Sequence, residues 1–268
     1  MSIYIIGMPI GNKKDITIRA LETFSIITDI YAEDTRSFRE FAKYHNIKIK
    51  NIYSYEDNNE KQRSIEIISK IKNNSNKNIG IVSEAGTPLI SDPGFRIIKL
   101  AHENNIKVIV IPGVSAITSC LSIAPMNGSS FTFLGFFYNY KLKDIYNSIN
   151  TIVFFDSPKR ILKTLNFLKI YFPNSYFFIG RELTKKFETY YYFPISEIPE
   201  INLKGEFVVV MEKNHEIPKN NIEISNDTII NLQKKFSHIN KKDLAKIIST
   251  ITNYSINDIY NKLIQFKM

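Results

Sequence analysis

Ile79-Gly80-Ile81-Val82-Ser83-Glu84-Ala85-Gly86-Thr87-Pro88-Leu89-Ile90-Ser91-Asp92-Pro93-Gly94 is the stretch on which the fold turns. Residues 79–83 are short, apolar and β-rich, and read as a strand. The next eleven positions hold two prolines, two glycines, two hydroxyl side chains and two carboxylates. Pro88 and Pro93 stiffen the loop and remove backbone donors. Gly86 and Gly94 permit conformations or close approaches that a side chain would block. Such a loop suits a small polar ligand held against main chain. A helix to about Asn104 follows.

The same alternation extends outward. Residues 3–6, 30–32, 52–55 and 107–111 read as strands, with helical patterns between them. Asp15 is the expected N-cap of a helix carrying Ile18, Leu21 and Ile27. Strands alternating with helices predict βαβ units and a largely parallel sheet. That arrangement brings three more loops to the edge that holds residues 84–94: Gly7-Met8-Pro9-Ile10-Gly11-Asn12, Glu33-Asp34-Thr35-Arg36 and Pro112-Gly113-Val114-Ser115-Ala116. Open α/β sheets bind ligands at that edge.

Residues 125–130 read as a turn and a domain boundary. Beyond it, strands are expected at 131–137, 151–155, 176–179, 188–193 and 206–211, with a helix after Pro158. Residues 73–78 form an Asn- and Lys-rich turn, and 213–227 are polar and linker-like. The tail is helical: Leu244, Ile247, Ile248 and Ile251 recur at helical spacing, and Ser255 with Asp258 predicts a capping box. The expected class is therefore α/β. One α/β domain spans residues 1–125, a second spans 126–213 and completes a cleft, and a short helical appendage spans 228–268.

The chain has 268 residues, 44% hydrophobic and 13% aromatic, enough for a real core. Its 35 basic residues against 26 acidic ones give a net charge of +9. A basic excess favours polyanions such as RNA, or is a solvated Lys-rich surface. The single cysteine, Cys120, excludes an internal disulfide and sits in an apolar run, so a buried structural thiol is expected. Residues 1–6 read as a strand rather than a leader. No apolar run approaches the roughly 20 residues that span a bilayer. A cytoplasmic protein with no membrane contact is expected. There is no G-x-G-x-x-G, Walker A or G-x-S-x-G sequence, and His45, His102, His215 and His238 are scattered, so no metal site is expected.

Residues 7–19, 33–36, 83–94, 112–116, 154–160, 181–184 and 205–209 resemble, in order, the ribosomal small-subunit RNA (cytidine-2′-O)-methyltransferases of the tetrapyrrole-methylase superfamily. Pro9-Ile10-Gly11-Asn12, Glu33-Asp34-Thr35-Arg36 and residues 85–94 are the specific motifs. Departures are Met8, where a small polar residue is usual, Glu84 for Asp, and Lys159 for His. The resemblance implies two α/β domains of the tetrapyrrole-methylase type, with S-adenosylmethionine in the cleft between them. It also implies a homodimer, no metal, and a cytidine in the decoding region of small-subunit (16S) ribosomal RNA, free or in the assembled subunit. Carried onto this chain, the cofactor contacts are Pro9, Gly11, Ser83, Ala85, Gly86, Thr87, Pro112, Gly113, Val114 and Ser115. Phe155, Arg181 and Glu206 are added by the second domain.

Methyl transfer to a ribose hydroxyl needs alignment, a base and positive charge near the developing alkoxide. Residue type and loop position nominate Asp34 or Glu33 as base, and Arg36 or Lys185 as the positive group; the alternative for residues 33–36 is an N-cap at Asp34 or Thr35 with a flanking ion pair. Arg36, Arg39 and Lys43 are expected to meet RNA. The C-terminal helices are either an RNA or dimer contact or a small packed appendage. Two other functions stay open at this point: methylation of a small substrate on the same fold, and a ribosome-assembly factor that binds RNA without catalysis.

Overall fold

The computed structural model describes residues 2–73, 78–213, 226–237, 239–251 and 254–265. Most of the Asn- and Lys-rich turn at 73–78 and of the linker-like stretch 213–227 lies outside them.

The first sheet holds β1 (Ser2–Ile6), β2 (Asp29–Ala32), β3 (Asn51–Ser54), β4 (Asn78–Val82) and β5 (Lys107–Ile111). They pair in the order β3-β2-β4-β1-β5, every neighbour parallel. The helices of this half are α1 (Ile18–Phe24), α2 (Thr35–Tyr44), α3 (Glu60–Asn73), α4 (Phe95–Glu103) and α5 (Ala116–Leu121). Both faces of the sheet are covered. Ile3, Ile5, Ile79 and Ile81 pack with Ile67 and Ile71 of α3 and Ile97 of α4. Ile6, Ile30 and Val82 pack with Phe24, Phe38 and Phe41 of α1 and α2. Two-sided burial is why these strands read as unbroken apolar runs. Each such side chain contributes about 1.5–3 kcal/mol of transfer free energy.

One expected helix start moves. Asp15 ends a short 3-10 turn closed by Asn12, whose side chain accepts from Lys14 N. Thr17 is the N-cap of α1 and accepts from Ala20 N at 3.1 Å. The shift leaves Ile18 77% exposed, while Ile27 is buried beyond the helix end.

The second sheet holds β6 (Phe131–Phe136), β7 (Thr151–Asp156), β8 (Tyr176–Arg181), β9 (Thr189–Pro194) and β10 (Phe207–Glu212), in the order β6-β7-β10-β8-β9. Only the β6/β7 pair is parallel; the other three are antiparallel. One face packs on α7 (Ile161–Tyr171) through Phe154, Phe177, Ile179 and Val209 against Leu165 and Leu168. α6 (Leu142–Asn147), six residues long, was too short to be read from periodicity. The other face carries Val153, Phe178, Val208 and Val210, which pack on Ile117 and Cys120 of α5, on Ile10 and on Leu183. This shared core joins both sheets into one compact unit, residues 1–213. Cys120 is the buried thiol expected from its apolar run: burial pushes it up to about 12 and its Sγ lies 3.8 Å from Val208 O.

Residues 214–268 form a separate unit with helices α8 (Asn226–Lys235), α9 (Lys241–Ile251) and α10 (Ile256–Gln265). Its core is Ile229, Leu244, Ala245, Ile248, Ile259 and Leu263. The buried stripe is narrower than the periodicity suggested: Ile247 is 48% exposed. Ser255 Oγ accepts from Asp258 N at 3.1 Å, the forward half of a capping box. The Asp258 carboxylate then accepts from the Ser255 hydroxyl at 2.7 Å. Among the described residues no helix is long and apolar enough to cross a membrane.

Candidate active site

All five strands of the first sheet run the same way, so their carboxyl-end loops meet at one edge, and they bond to one another. Met8 N donates to Gly86 O at 2.8 Å, and Gly86 N to Met8 O at 3.1 Å. Thr87 Oγ1 donates to Val114 O at 3.3 Å, and Ser83 Oγ to Ala85 O at 3.0 Å. Gly113 lies so close to Gly7 that a Cβ on it would stand 2.8–2.9 Å from the Gly7 backbone. Met8 is buried, which accounts for its departure from the polar pattern.

The first loop also reaches the second sheet. A Cβ on Gly11 would meet Lys185 Cγ at 2.5 Å and Leu183 O at 2.8 Å. Asn12 N donates to Thr184 Oγ1 at 3.0 Å.

Between the sheets lies a cavity of about 320 Å³, within the roughly 300–1,000 Å³ of small-molecule sites. One wall is Ile10, Glu33, Glu84, Ala85, Gly86, Thr87, Ile90, Ser91 and Asp92. Ser115, Ala116 and Ile117 at the start of α5 form a second. Phe136, Phe155, Asp156, Gly180, Leu183, Glu206, Phe207 and Val208 form the third. A cavity of about 220 Å³ shares Ile10, Glu84, Ala85 and Glu206 and adds Pro9, Gly11, Lys13, Ser37, Ser83 and Lys185.

The residues nominated for cofactor contact therefore divide. Ala85, Gly86, Thr87, Ser115, Phe155 and Glu206 line the larger cavity. Pro9, Gly11 and Ser83 line the smaller. Pro112, Gly113, Val114 and Arg181 line neither. Gly113 packs on the Gly7 backbone, and Val114 O accepts from Thr87 Oγ1 of the lining. Arg181 is buried and donates to Lys204 O, Phe187 O and Thr189 Oγ1, which ties the 182–189 turn to the strand.

The four nominated catalytic residues divide as well. Glu33 lines the larger cavity, and its Oε2 accepts from Glu84 N at 3.0 Å. Asp34 lines neither cavity. It is the N-cap of α2, accepting from Arg36 N at 2.7 Å and Ser37 N at 3.3 Å, and it pairs with the Arg36 guanidinium at 2.9 Å. Those bonds, the Arg36 side chain first, hold its carboxyl down at about 2, so it is a weak base. The Arg36 side chain is 87% exposed, off both cavities. Lys185 lines the smaller cavity and bonds Glu182 Oε1 at 2.9 Å and Glu206 Oε2 at 2.8 Å. Burial lowers its pKa, but the two carboxylates outweigh burial and raise it, so it is a firm cation.

Two carboxylates escaped the sequence reading. Asp92 lies within the decisive loop, but nothing in its spacing marked it. Burial, then the charge of Glu33, pushes it up to about 7. Asp156 ends β7, inside the motif at 154–160. Its Oδ1 accepts from Ser157 N at 2.8 Å and pairs with Arg160 at 3.1 Å, while its buried Oδ2 has no partner among the described residues. A buried acceptor left unmatched costs about 1–3 kcal/mol; Asp156 is among the residues lining the larger cavity, but its side chain is fully enclosed. The signal was hidden because the second sheet is mixed, so the carboxyl-end rule does not point to β7.

A family model described as Tetrapyrrole (Corrin/Porphyrin) Methylases matches residues 2–199. The chain belongs to the tetrapyrrole methylase family. Within the tetrapyrrole methylases it is similar to proteins named Ribosomal RNA small subunit methyltransferase I. That of Haemophilus influenzae is 35% identical over 96% of this chain and 94% of the relative. That of Buchnera aphidicola subsp. Schizaphis graminum is 32% identical over 99% and 96%, and that of Thermotoga maritima 38% over 77% and 96%. Among solved tetrapyrrole-methylase folds, a diphthine synthase superposes with a TM-score of 0.64 at 15% identity, over 80% of this chain and 90% of that one. A Thermus thermophilus uroporphyrin-III C-methyl transferase complexed with S-adenyl homocysteine superposes with a TM-score of 0.57 at 12% identity, over 78% and 97%.

Proposed function

We propose that this protein transfers a methyl group from S-adenosylmethionine to the ribose 2′-hydroxyl of a cytidine in the decoding region of small-subunit (16S) ribosomal RNA. The observation that carries the reading is the cavity itself: it is cofactor-sized, walled by both sheets and lined by the loops that carry the family motifs. The relatives' shared name supports the ribosomal RNA substrate.

S-adenosylmethionine, when bound, supplies a methyl group on a sulfonium, already a good leaving group. Gly86, Thr87, Ser115 and Phe155 are the residues that would hold it. Ile10, Ile90, Ile117 and Phe155 give the cavity an apolar lining that excludes water. Glu33, Glu84 and Asp92 place carboxylates where a cationic ligand is favoured. Glu33 is the better-placed base. Its Oε2 is engaged by Glu84 N–H, so Oε1 is the atom to take the proton of the 2′-hydroxyl. Lys185, held by two carboxylates at the neighbouring cavity, supplies positive charge near the developing alkoxide. Asp34 and Arg36 set the start of α2 and, with Arg39 and Lys43, present its basic surface to RNA.

The working form is proposed to be a homodimer in the cytoplasm. Exposed apolar side chains, Ile18 on α1, Phe95 on α4 and Val110 on the edge strand β5, leave surface for a second copy.

The test is transfer from labelled S-adenosylmethionine to small ribosomal subunits that lack the mark, followed by alkaline digestion. A 2′-O-methyl blocks cleavage of the adjacent phosphodiester. A labelled, alkali-resistant dinucleotide beginning with methylcytidine is the expected product. Label in mononucleotides only means base methylation. No transfer to RNA overturns the reading and favours a small substrate.

A further inference from the structure

The lip of the larger cavity continues into an aromatic and cationic surface that the chemistry above leaves unused. Phe136 lines the cavity and is 43% exposed. Two residues on, Tyr138 and Tyr140 stand in the open, 46% and 76% exposed. Their rings are parallel, with centroids 5.6 Å apart and planes 6° apart. The Arg160 guanidinium lies over the Tyr138 ring at 4.5 Å, and the Lys141 ammonium lies 5.9 Å from both ring centroids.

This surface is built rather than incidental. The β6/β7 register shifts between Phe133 and Phe136, and Gly135 takes a φ of +63°. Such a bulge re-aims the side chains that follow it. A Cβ on Gly135 would sit 3.5 Å from Ser91 Oγ, so the shift occurs where β6 meets the 84–94 loop. Tyr138 opens a short 3-10 turn, closed by Lys141 N donating to Tyr138 O at 2.9 Å. The Lys141 ammonium then donates to the carbonyls of Leu134 and Phe136, the latter at 2.8 Å. The turn is tied back to β6, and its two rings are held in place before any ligand arrives. Arg160 is fixed in turn by Asp156 and by Ser157 Oγ at 3.2 Å. Asp156, a residue of the cavity lining, thus also anchors the surface outside it through Arg160.

Exposed, parallel, pre-ordered rings among cations have a definite chemistry. Every nucleobase has a π-face, and unpaired bases stack on aromatic side chains and on Arg planes. Residues 138–144 and 156–160 hold Lys141, Lys143, Lys159 and Arg160 against Asp144 and Asp156, a cationic excess that suits the phosphates between bases.

We propose that Tyr138 and Tyr140, backed by Lys141 and Arg160, form a stacking platform for unpaired bases of single-stranded RNA next to the nucleotide that enters the cavity. The open face of Tyr140 is the one offered. The platform names where the RNA flanking the target lies, and so rests on the RNA reading of the cavity. It serves positioning, not chemistry.

The experiment is fluorescence anisotropy of a labelled single-stranded oligoribonucleotide containing cytidine with the full chain. Variants are Tyr140→Ala, the double variant Tyr138→Ala with Tyr140→Ala, and the same pair changed to Phe. Loss of a stacked base weakens binding by about 5-fold or more. The Ala variants should lose that much, the Phe variants should bind like the parent, and S-adenosylmethionine affinity should be the same in all. In the methylation assay the Ala variants should raise KM for RNA more than they lower kcat. Equal binding by the double Ala variant overturns the platform, as does absence of oligonucleotide binding by the parent. Equal loss in the Phe variants assigns binding to the hydroxyls and overturns stacking. Methyl transfer by the parent separates the two ideas. Transfer with a failed binding series leaves the function standing. A positive binding series without transfer leaves the platform standing and removes the function.

Discussion

Replacing Asp92 by Asn should leave stability unchanged near pH 4 and raise it progressively towards pH 8. Asp92 sits in the cavity wall, where burial and the neighbouring Glu33 push its carboxyl up to about 7. An aspartate in the unfolded chain titrates near about 3.9. Between these values the unfolded chain releases its proton while the native state keeps one, so stability falls as pH rises through the window. The slope is about 1.4 kcal/mol per pH unit. Over roughly three units the native state loses up to about 4 kcal/mol, all of it by pH 7–8 and none of it below pH 4. Asparagine has nearly the shape of the protonated acid and never charges, so it removes the loss at every pH. For a unit of this size about 1 kcal/mol moves Tm by about 2–4 °C, which sets a ceiling of about 8–16 °C for the variant's gain at pH 8. Solvent screening of Asp92, which is only half-buried, brings the observed gain below that ceiling. Paired thermal melts of both proteins from pH 4 to pH 8 check this. A Tm difference that is flat with pH, or that shrinks as pH rises, refutes the account.

Three further outcomes follow from the site. Asp156→Asn replaces the buried charged partner of Arg160, a bond worth about 1.5–3 kcal/mol, so Tm should fall by about 3–12 °C in thermal melts; an unchanged Tm means the pair contributes nothing to stability. Gly11→Ala forces a Cβ within 2.8 Å of Leu183 O and Thr184 Oγ1, and such overpacking costs about 1–3 kcal/mol, so Tm should fall by about 2–12 °C and cofactor affinity should fall with it. Glu33→Gln should cut kcat by about 10²- to 10⁴-fold without weakening cofactor binding, whereas Asp34→Asn, an equivalent helix cap that loses a solvent-exposed ion pair worth at most about 1 kcal/mol, should lower Tm by no more than about 4 °C and cost far less rate. The reverse ranking would make Asp34 the base.

Much of the architecture was legible along the chain because local rules were enough. Ile-rich runs ending in Gly/Pro loops mark parallel strands whichever neighbours they find, and the parallel rule then sends residues 7–12, 83–94 and 112–115 to one edge. Cys120 was readable as core from its apolar surroundings alone. Boundaries were less legible where two caps compete, as Asp15 and Thr17 do, because the winner depends on which backbone geometry the turn at Asn12 allows.

The sequence by itself determined the α/β class, the apolar core positions and the family motifs, since each is set by residues close together in the chain. Only the tertiary structure decided which carboxylate does what. Glu33 and Asp34 are adjacent, yet one faces the cavity and the other is spent on a helix end and Arg36. Asp92 owes its raised pKa first to burial and then to Glu33, 59 positions away in the chain. Asp156 reaches the same cavity from a mixed sheet whose order, β6-β7-β10-β8-β9, no local pattern encodes. Charge and burial act through space over a few ångströms, so the chemistry of Glu33 and Asp92 was set only when loops far apart in the chain met.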